Sequence, residues 1–416
     1  MHRLTLNRLR AEIEPVSAAA YMRFLFAWQR VDPDYRVRSD TGLLAVLRAL
    51  DAVELPASAW DDAVLPARVD GYDPHDLDAL CQSGLIGWGR LSAATEDTTD
   101  DANRPSLLAA DSLCAGRTDT TGNRHKLQLT RASGVALYLA DNVDHWRVLN
   151  APGEPALTEA AKAVEAYLTK HGASFAAAIG RACALLPTQL EQALGELVAT
   201  GRASSDNFSG LRDLVADAQT KAKRARAVNV FDRAGRWSLI TRHHEPATEL
   251  ARLAAVEAQA RTVLARYGVV AKRTLERETL LAPWRDIVRV LRRMEARGEV
   301  RGGYFVTGIS GEQYALPEAL GLLRRHREPP ETAVYVALSA ADPLNFTGSI
   351  IPGERVPGVA SHRILFRNAL PVAVYDGRTI TKFTGEQLTA ETERLLVQTP
   401  GKIARSTHTT SALQSR

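Results

Sequence analysis

Cysteine is scarce in this chain. Cys81, Cys114 and Cys183 are the only three in 416 residues, far apart and without CxxC spacing. Neither a disulfide framework nor a zinc site is expected, and a reducing cytoplasm is the natural setting. No apolar run approaches the roughly 18 residues needed to span a bilayer, and the opening MHRLTLNRLR lacks the apolar core of a signal peptide. The phosphate loop GxxxxGK[ST] is missing, which excludes a P-loop ATP engine within the chain, and HExxH and GxSxG are missing as well. What is present is ordinary globular material, 45% hydrophobic and 24% charged, long enough for two to four domains. The net charge of +4 is a mild basic bias, compatible with an anionic partner.

A weak internal repeat organises the chain. DPHDLDALCQSGLIGWGRL, LPTQLEQALGELVATGRASSDNF and APWRDIVRVLRRMEARGEVRGGYFV align on Gly84, Gly201 and Gly298. Four residues before each glycine stand Leu80, Leu197 and Met294, seven before stand Leu77, Leu194 and Leu291, and two after stand Ile86, Ala203 and Val300. Apolar positions three apart share one helix face. A glycine suits the left-handed cap that ends a helix, and the residues after it alternate as in a strand. Helix, glycine cap and strand pair form the second half of a winged helix. The segments 157–172 and 248–268 read as first helices of the second and third copies.

The expected fold is therefore α/β in the mixed α+β sense, with tandem winged helices followed by a small C-terminal β-barrel. Its parts are an N-terminal winged-helix-like module (1–91), a polar insertion with β-hairpins (92–155), a second winged helix and linker (156–240), and a third, basic winged helix (245–328). The barrel (331–384) and a frayed tail (385–416) complete it. The barrel is read from short strand-like runs separated by turn residues, as in HRILFRNALPVAVYDGRTITKF. The insertion SAATEDTTDDANRPS is polar and acidic, and the stretch 126–149 reads as two or three strands.

Charge ranks the three repeat helices as nucleic-acid contacts. The first and second carry no Lys or Arg, so the first is expected to pack on protein. The third carries Arg285, Arg289, Arg292, Arg293 and Arg297, with Arg301 on the wing. Arg285, Arg289 and Arg292 share one face, opposite Ile287, Leu291 and Met294. Such a row fits phosphates, although the same residues also fit a solvated face paired with Glu295 and Glu299. The basic run Lys221, Lys223, Arg224 and Arg226 is less specific.

Two places carry candidate chemistry. In AWQRVDPDYRV, Trp28 and Arg30 can stack on a base, Gln29 can bond a base edge or hold a water, and Asp32 supplies a carboxylate. The same residues also read as a core tryptophan and a helix-ending Asp-Pro. In LSAADPLNFTG, Asp342 and Asn345 follow an expected central strand, and a turn-forming aspartate before proline is the bland alternative. His243 and His244 read as loop histidines.

Taken together, EPVSAAAYMRFLFAWQRV, YDPHDLDALCQSGLIGWGRL, the stretch ARYGVV…ALPEAL and LSAADPLNFTG…PGERVP resemble the C-terminal region of the bacterial large helicase-related proteins (Lhr), over about residues 10–380. That region in turn resembles the AlkZ/YcaQ-type DNA glycosylases. The resemblance implies a row of winged helices ending in a barrel, a fragment beginning at an artificial Met1, and an absent ATP-dependent helicase motor to which ATP and Mg would belong. For this chain it implies no metal or organic cofactor. It also implies DNA, single-stranded or forked, as partner, together with its own motor and sister subunits in a homo-oligomer, and no membrane. A monofunctional uracil-DNA glycosylase acting in DNA repair is the implied activity. Asp342 or Asp32 would be the catalytic carboxylate, Gln29 or Asn345 would hold the water or the base edge, and Trp28 and Arg30 would support the flipped nucleotide. The AlkZ-type catalytic element is Gln-apolar-Gln or Gln-apolar-Asp, whereas Gln29-Arg30-Val31-Asp32 is one residue longer. The alternative is a non-catalytic DNA-binding and oligomerisation module serving the motor.

Overall fold

The computed structural model describes residues 14–92, 129–150, 156–217, 235–240 and 247–398, save 384 and 386. His243, His244, Cys114, the basic run at 221–226 and most of the polar insertion lie outside them.

A first helix, α1 (Ala18–Trp28), is capped by the Ser17 side chain, which accepts from Ala20 N. Three copies of one unit follow. The first comprises α2 (Ser39–Ala49), β1 (Glu54–Pro56), α3 (Pro74–Gln82), β2 (Ile86–Gly89) and β3 (Gly134–Leu139). The second comprises α4 (Glu159–His171), β4 (Ser174–Phe175), α5 (Pro187–Ala199), β5 (Ala203–Ser205) and β6 (Arg236–Leu239). The third comprises α6 (Glu249–Tyr267), β7 (Val269–Ala271), α7 (Trp284–Ala296), β8 (Arg301–Gly303) and β9 (Gln313–Ala315), with α8 (Pro317–Arg325) after it. In every copy the last strand lies between the other two: β1-β3-β2, β4-β6-β5 and β7-β9-β8, all antiparallel. That shared order is the winged-helix sheet.

The three aligned glycines have φ of 76°, 67° and 78° at Gly84, Gly201 and Gly298. They close α3, α5 and α7 in the left-handed region that a side chain disfavours. The apolar positions counted from them enter the cores, Leu80 being the exception at half-burial. In α7, burial of Ile287, Leu291 and Met294 contributes about 1.5–3 kcal/mol each. Between Leu129 and Asn150 one strand forms, not two or three. β3 is followed by the short helix Val143–Arg147, whose Trp146 indole donates to Asp51 at 3.1 Å.

Two large cores result. One joins the first two copies, with Trp88 of β2 against Phe208 and Trp237 at ring distances of 6.0 and 6.1 Å. The other joins α1, the third copy and the C-terminal sheet. That sheet consists of β10 (Tyr335–Ser339), β11 (Arg363–Arg367), β12 (Leu370–Tyr375) and β13 (Ile380–Lys382) in simple sequential order.

The expected barrel is thereby corrected. Among the described residues β13 does not return to pair with β10, so the sheet is open. Its two faces are filled in another way. Val336, Leu338, Ile364 and Phe366 turn toward α1, where Phe26 meets Phe366 edge-on at 5.1 Å. Ala337, Leu365 and Ala373 turn toward α9 (Ala390–Val397) and its Leu396. A sheet covered by a helix on each side has its apolar surface buried without closing on itself. The strand before Asp342 is consequently an edge strand, not a central one.

Candidate functional site

The repeat helices have different surroundings. α3 offers Asp78 to Arg212 of the second copy at 2.7 Å, and Arg212 also holds Asp61 at 2.6 Å. The acidic first helix thus packs on protein, as expected. α5 is enclosed over its C-terminal half, where Glu196 accepts from Thr158 N at 2.8 Å and from its hydroxyl at 2.6 Å, capping α4. Only α7 turns a charged face outward.

On that face Arg285, Arg289, Arg292, Arg293, Arg297 and Arg301 are all exposed. Their pairing is uneven. Asp286 lies 3.0 Å from Arg289 and 3.7 Å from Arg285. Glu312 holds Arg292 at 2.9 Å, and Arg297 is engaged by Glu299 and, at 3.5 Å, by Glu257. Glu295 faces the sheet and accepts from Gly302 N at 3.1 Å. Arg293 and Arg301 make no ion pair among the described residues. Exposed pairs contribute little to stability and exchange readily for phosphate.

Asp342 occupies a different setting. It is 1% exposed, as is Arg68, and the two form a bidentate pair with Nη1–Oδ2 at 2.7 Å and Nη2–Oδ1 at 2.9 Å. Leu344 N also donates to Oδ1 at 3.0 Å. Arg68 Nη2 reaches Gln29 Oε1 at 3.1 Å, and Gln29 Nε2 donates to the Arg266 carbonyl at 3.0 Å. Asn345 Nδ2 donates to the carbonyls of Ala340 at 2.8 Å and Val356 at 3.0 Å. Asp342, Gln29 and Asn345 are therefore engaged inside the protein. Their bonds, with those of Arg68, join the end of α1, the segment between β1 and α3, and the loop after β10.

Asp32 stands apart from this network. It is half-buried and caps the turn Pro33–Tyr35, with Oδ1 accepting from Asp34 N at 3.0 Å. Trp28 packs its ring on Phe24 at 5.5 Å and donates to the Ala265 carbonyl at 2.8 Å. Arg30 is exposed with φ of 66°, unusual for a residue with a side chain. Trp28, Gln29, Arg30, Tyr35, Arg48 and Arg68 line a cleft of 310 Å³. The structure thus brings Gln29, Trp28 and Arg30 together at one cleft and places Asp342 behind Arg68.

Sequence reasoning missed Arg68, Arg266 and Glu278. Arg266 donates to the carbonyls of Ala49 at 2.9 Å and Asp51 at 2.5 Å and pairs with Glu278. The only local signal for Arg68 is a lone arginine ending the apolar run AVLPARV. Among the described residues no three His, Cys, Asp or Glu side chains gather as around a metal ion, and no helix is long and apolar enough to cross a membrane.

Comparison with known proteins completes the description. Two models of the "Large helicase-related protein, winged-helix domain" match residues 16–103 and 249–335. The chain is 29% identical over 406 residues to the "Lhr helicase/ probable uracil glycosylase" of Mycolicibacterium smegmatis, covering 91% of this chain and 24% of that protein. It is 29% identical over 400 residues to the "Lhr helicase/uracil glycosylase" of Escherichia coli, covering 85% of this chain and 24% of that protein. It thus spans about a quarter of these relatives' length. Among solved structures, the Streptomyces sahachiroi DNA glycosylase AlkZ superposes with a TM-score of 0.44 at 12% identity, over 92% of this chain and 95% of that one.

Proposed function

We propose, for a chain that carries winged-helix domains of the large helicase-related protein, that it is a DNA-binding module of an Lhr-type helicase. Its motor would lie in another part of such a protein. The observation that carries this reading is the outward arginine face of α7, alone among the three repeat helices in exposing a row of basic side chains. α7 and the wing strand β8 would lie along a single-stranded or forked DNA backbone, with Arg285, Arg289, Arg292, Arg293, Arg297 and Arg301 as phosphate contacts. The commitment of Asp342 to Arg68 supports a non-catalytic role for the segment after β10. Assembly into a homo-oligomer belongs to the same reading.

The test is fluorescence anisotropy of a labelled single-stranded oligonucleotide against the purified chain over a range of salt. Binding should weaken steeply as salt rises, with a slope set by the number of phosphates neutralised. Salt-independent binding, or none, refutes the reading.

Uracil excision is a second reading, favoured by the cleft lined by Trp28, Gln29 and Arg30 and by the names of the two relatives. A flipped uridine would enter the cleft, water would add at C1′ as the N-glycosidic bond breaks, and uracil would leave as its anion. Asp32, partly open to solvent, is then the carboxylate for activating water. Asp342 could serve only after Arg68 releases it. Incubation with uracil-containing single-stranded DNA without ATP, followed by alkali, tests this. No cleavage above buffer leaves the module non-catalytic. Cleavage that survives in Asp32→Asn removes Asp32 from the mechanism.

A further inference from the structure

Arg277 lies in the segment leading into α7. It is 7% exposed, and its Nη1 donates to the Asn345 carbonyl. Its Nε meets no acceptor. Both carboxylates that act on it are already engaged: Asp342 holds Arg68, while Glu278 holds Arg266 and accepts from the Tyr267 hydroxyl at 2.7 Å. A third buried carboxylate, Asp51, also acts on Arg266, so of these three buried guanidinium groups Arg277 is the one with no ion pair of its own among the described residues. A buried charge without its own counter-ion is unfavourable, so the unpaired cation needs an explanation.

The loop beside it supplies one. Thr347 is 3% exposed, and its hydroxyl has no partner. Gly348 has φ of 73°, and a Cβ there would stand 2.7 Å from the Arg355 Cα, so the loop doubles back on itself and brings Arg355 over this peptide. Gly348 N closes the turn by donating to the Ile351 carbonyl at 2.9 Å. Arg355 is exposed and makes no ion pair among the described residues. Burial pushes the Arg277 guanidinium down to about 10, against the attraction of Tyr267 and with repulsion from Arg355 added. It is still charged at neutral pH.

We infer that Arg277, Arg355 and the Thr347 hydroxyl form a receptor for one phosphate group, a phosphodiester of the nucleic-acid strand that runs along α7. Two guanidinium groups and a hydroxyl supply directed donors to phosphate oxygens, and the arriving anion neutralises the unpaired buried cation. The inference takes its source of phosphate from the DNA-binding reading.

The experiment uses the full chain, with inorganic phosphate and a single-stranded oligonucleotide as probes. Melting temperature is compared in phosphate and in chloride at equal ionic strength, and oligonucleotide affinity is measured against salt. Phosphate should raise the melting temperature saturably in the parent, less in Arg355→Ala, and not at all in Arg277→Leu. Arg277→Leu should also melt higher than the parent in chloride, because the uncompensated charge is gone. Arg355→Ala should lower the slope of log affinity against log salt by about one. Identical melting of the parent in phosphate and chloride overturns the inference. So does a phosphate effect combined with an unchanged salt slope in Arg355→Ala, which would make this a free-phosphate site. If phosphate acts but no oligonucleotide binds the parent, the DNA reading fails, and the strand fails with it as the source of phosphate. Arg355 is exposed, so its variant keeps the test decisive should Arg277→Leu not fold.

Discussion

Asp342→Asn is the most informative single change. Asparagine keeps the size of the side chain and one acceptor for the guanidinium, but removes the charge opposite Arg68 at a position where both partners are 1% exposed. Breaking a buried ion pair from one side costs about 3–5 kcal/mol, chiefly because the remaining charge is stranded. The loss should fall on the union of the C-terminal sheet with the N-terminal segments, since Arg68 and Asp342 form the buried ion pair between them, beside the apolar contact of Phe26 with Phe366. Urea unfolding followed by tryptophan fluorescence reads the effect, with separate transitions expected in a chain of several units. The affected midpoint should fall in Asp342→Asn and recover largely in the double variant Arg68→Met/Asp342→Leu, because apolar replacement of a buried pair is often neutral. A double-mutant cycle isolates the coupling. An unchanged midpoint in Asp342→Asn refutes the structural reading of the pair. The same curve governs any activity assay: lost excision in this variant speaks to chemistry only if its unfolding matches the parent's.

Arg293→Ala and Arg301→Ala should each lower the salt slope of DNA binding by about one, read by anisotropy, and leave unfolding midpoints within about 0.5 kcal/mol of the parent. Gly201→Ala should destabilise more than Gly298→Ala in urea, because both have positive φ but a Cβ at 201 would stand 2.6 Å from the Arg90 carbonyl while one at 298 meets open space. The Gly298 change should cost about 1 kcal/mol. Asp376 accepts from Thr379 N and Arg378 N at 2.7 and 2.8 Å, which hold its carboxyl down at about 2. Its contribution to the turn is present above the unfolded value of about 3.9 and is lost as pH falls through about 2. Carboxyl carbon shifts followed by NMR between pH 5 and pH 1 should show that low midpoint, and an ordinary one would refute the bonding.

The repeat was legible because each of its parts is local. A helix face, a glycine that must take positive φ and a following strand all lie within about 20 residues, so Gly84, Gly201 and Gly298 carried the fold on their own. The relation to Lhr, resting on separated blocks of sequence, was also borne out. The barrel was not legible, because short strands between turns establish antiparallel neighbours but say nothing about whether the last strand meets the first. Here α1, from the far end of the chain, covers the face that closure would have enclosed. Asp342 shows the same limit for the candidate site. Its turn geometry is written in Asp-Pro-Leu-Asn, whereas its counter-ion stands 274 residues earlier, where nothing in the neighbouring sequence announces it. Arg277 escaped for the converse reason: its distinction is a missing partner, which only three dimensions reveal.

The Arg68–Asp342 clasp also governs when this chain can finish folding. During synthesis the arginine leaves the ribosome long before the carboxylate that will neutralise it, so the early segments must wait with an unmatched cation or leave it solvated until the C-terminal sheet arrives. A shortened protein beginning beyond Val69 would carry the reverse fault, an aspartate sealed behind the sheet with no cation to meet it. Dissecting this molecule at its winged-helix boundaries therefore separates the two halves of a buried ion pair and leaves pieces that do not report on the whole.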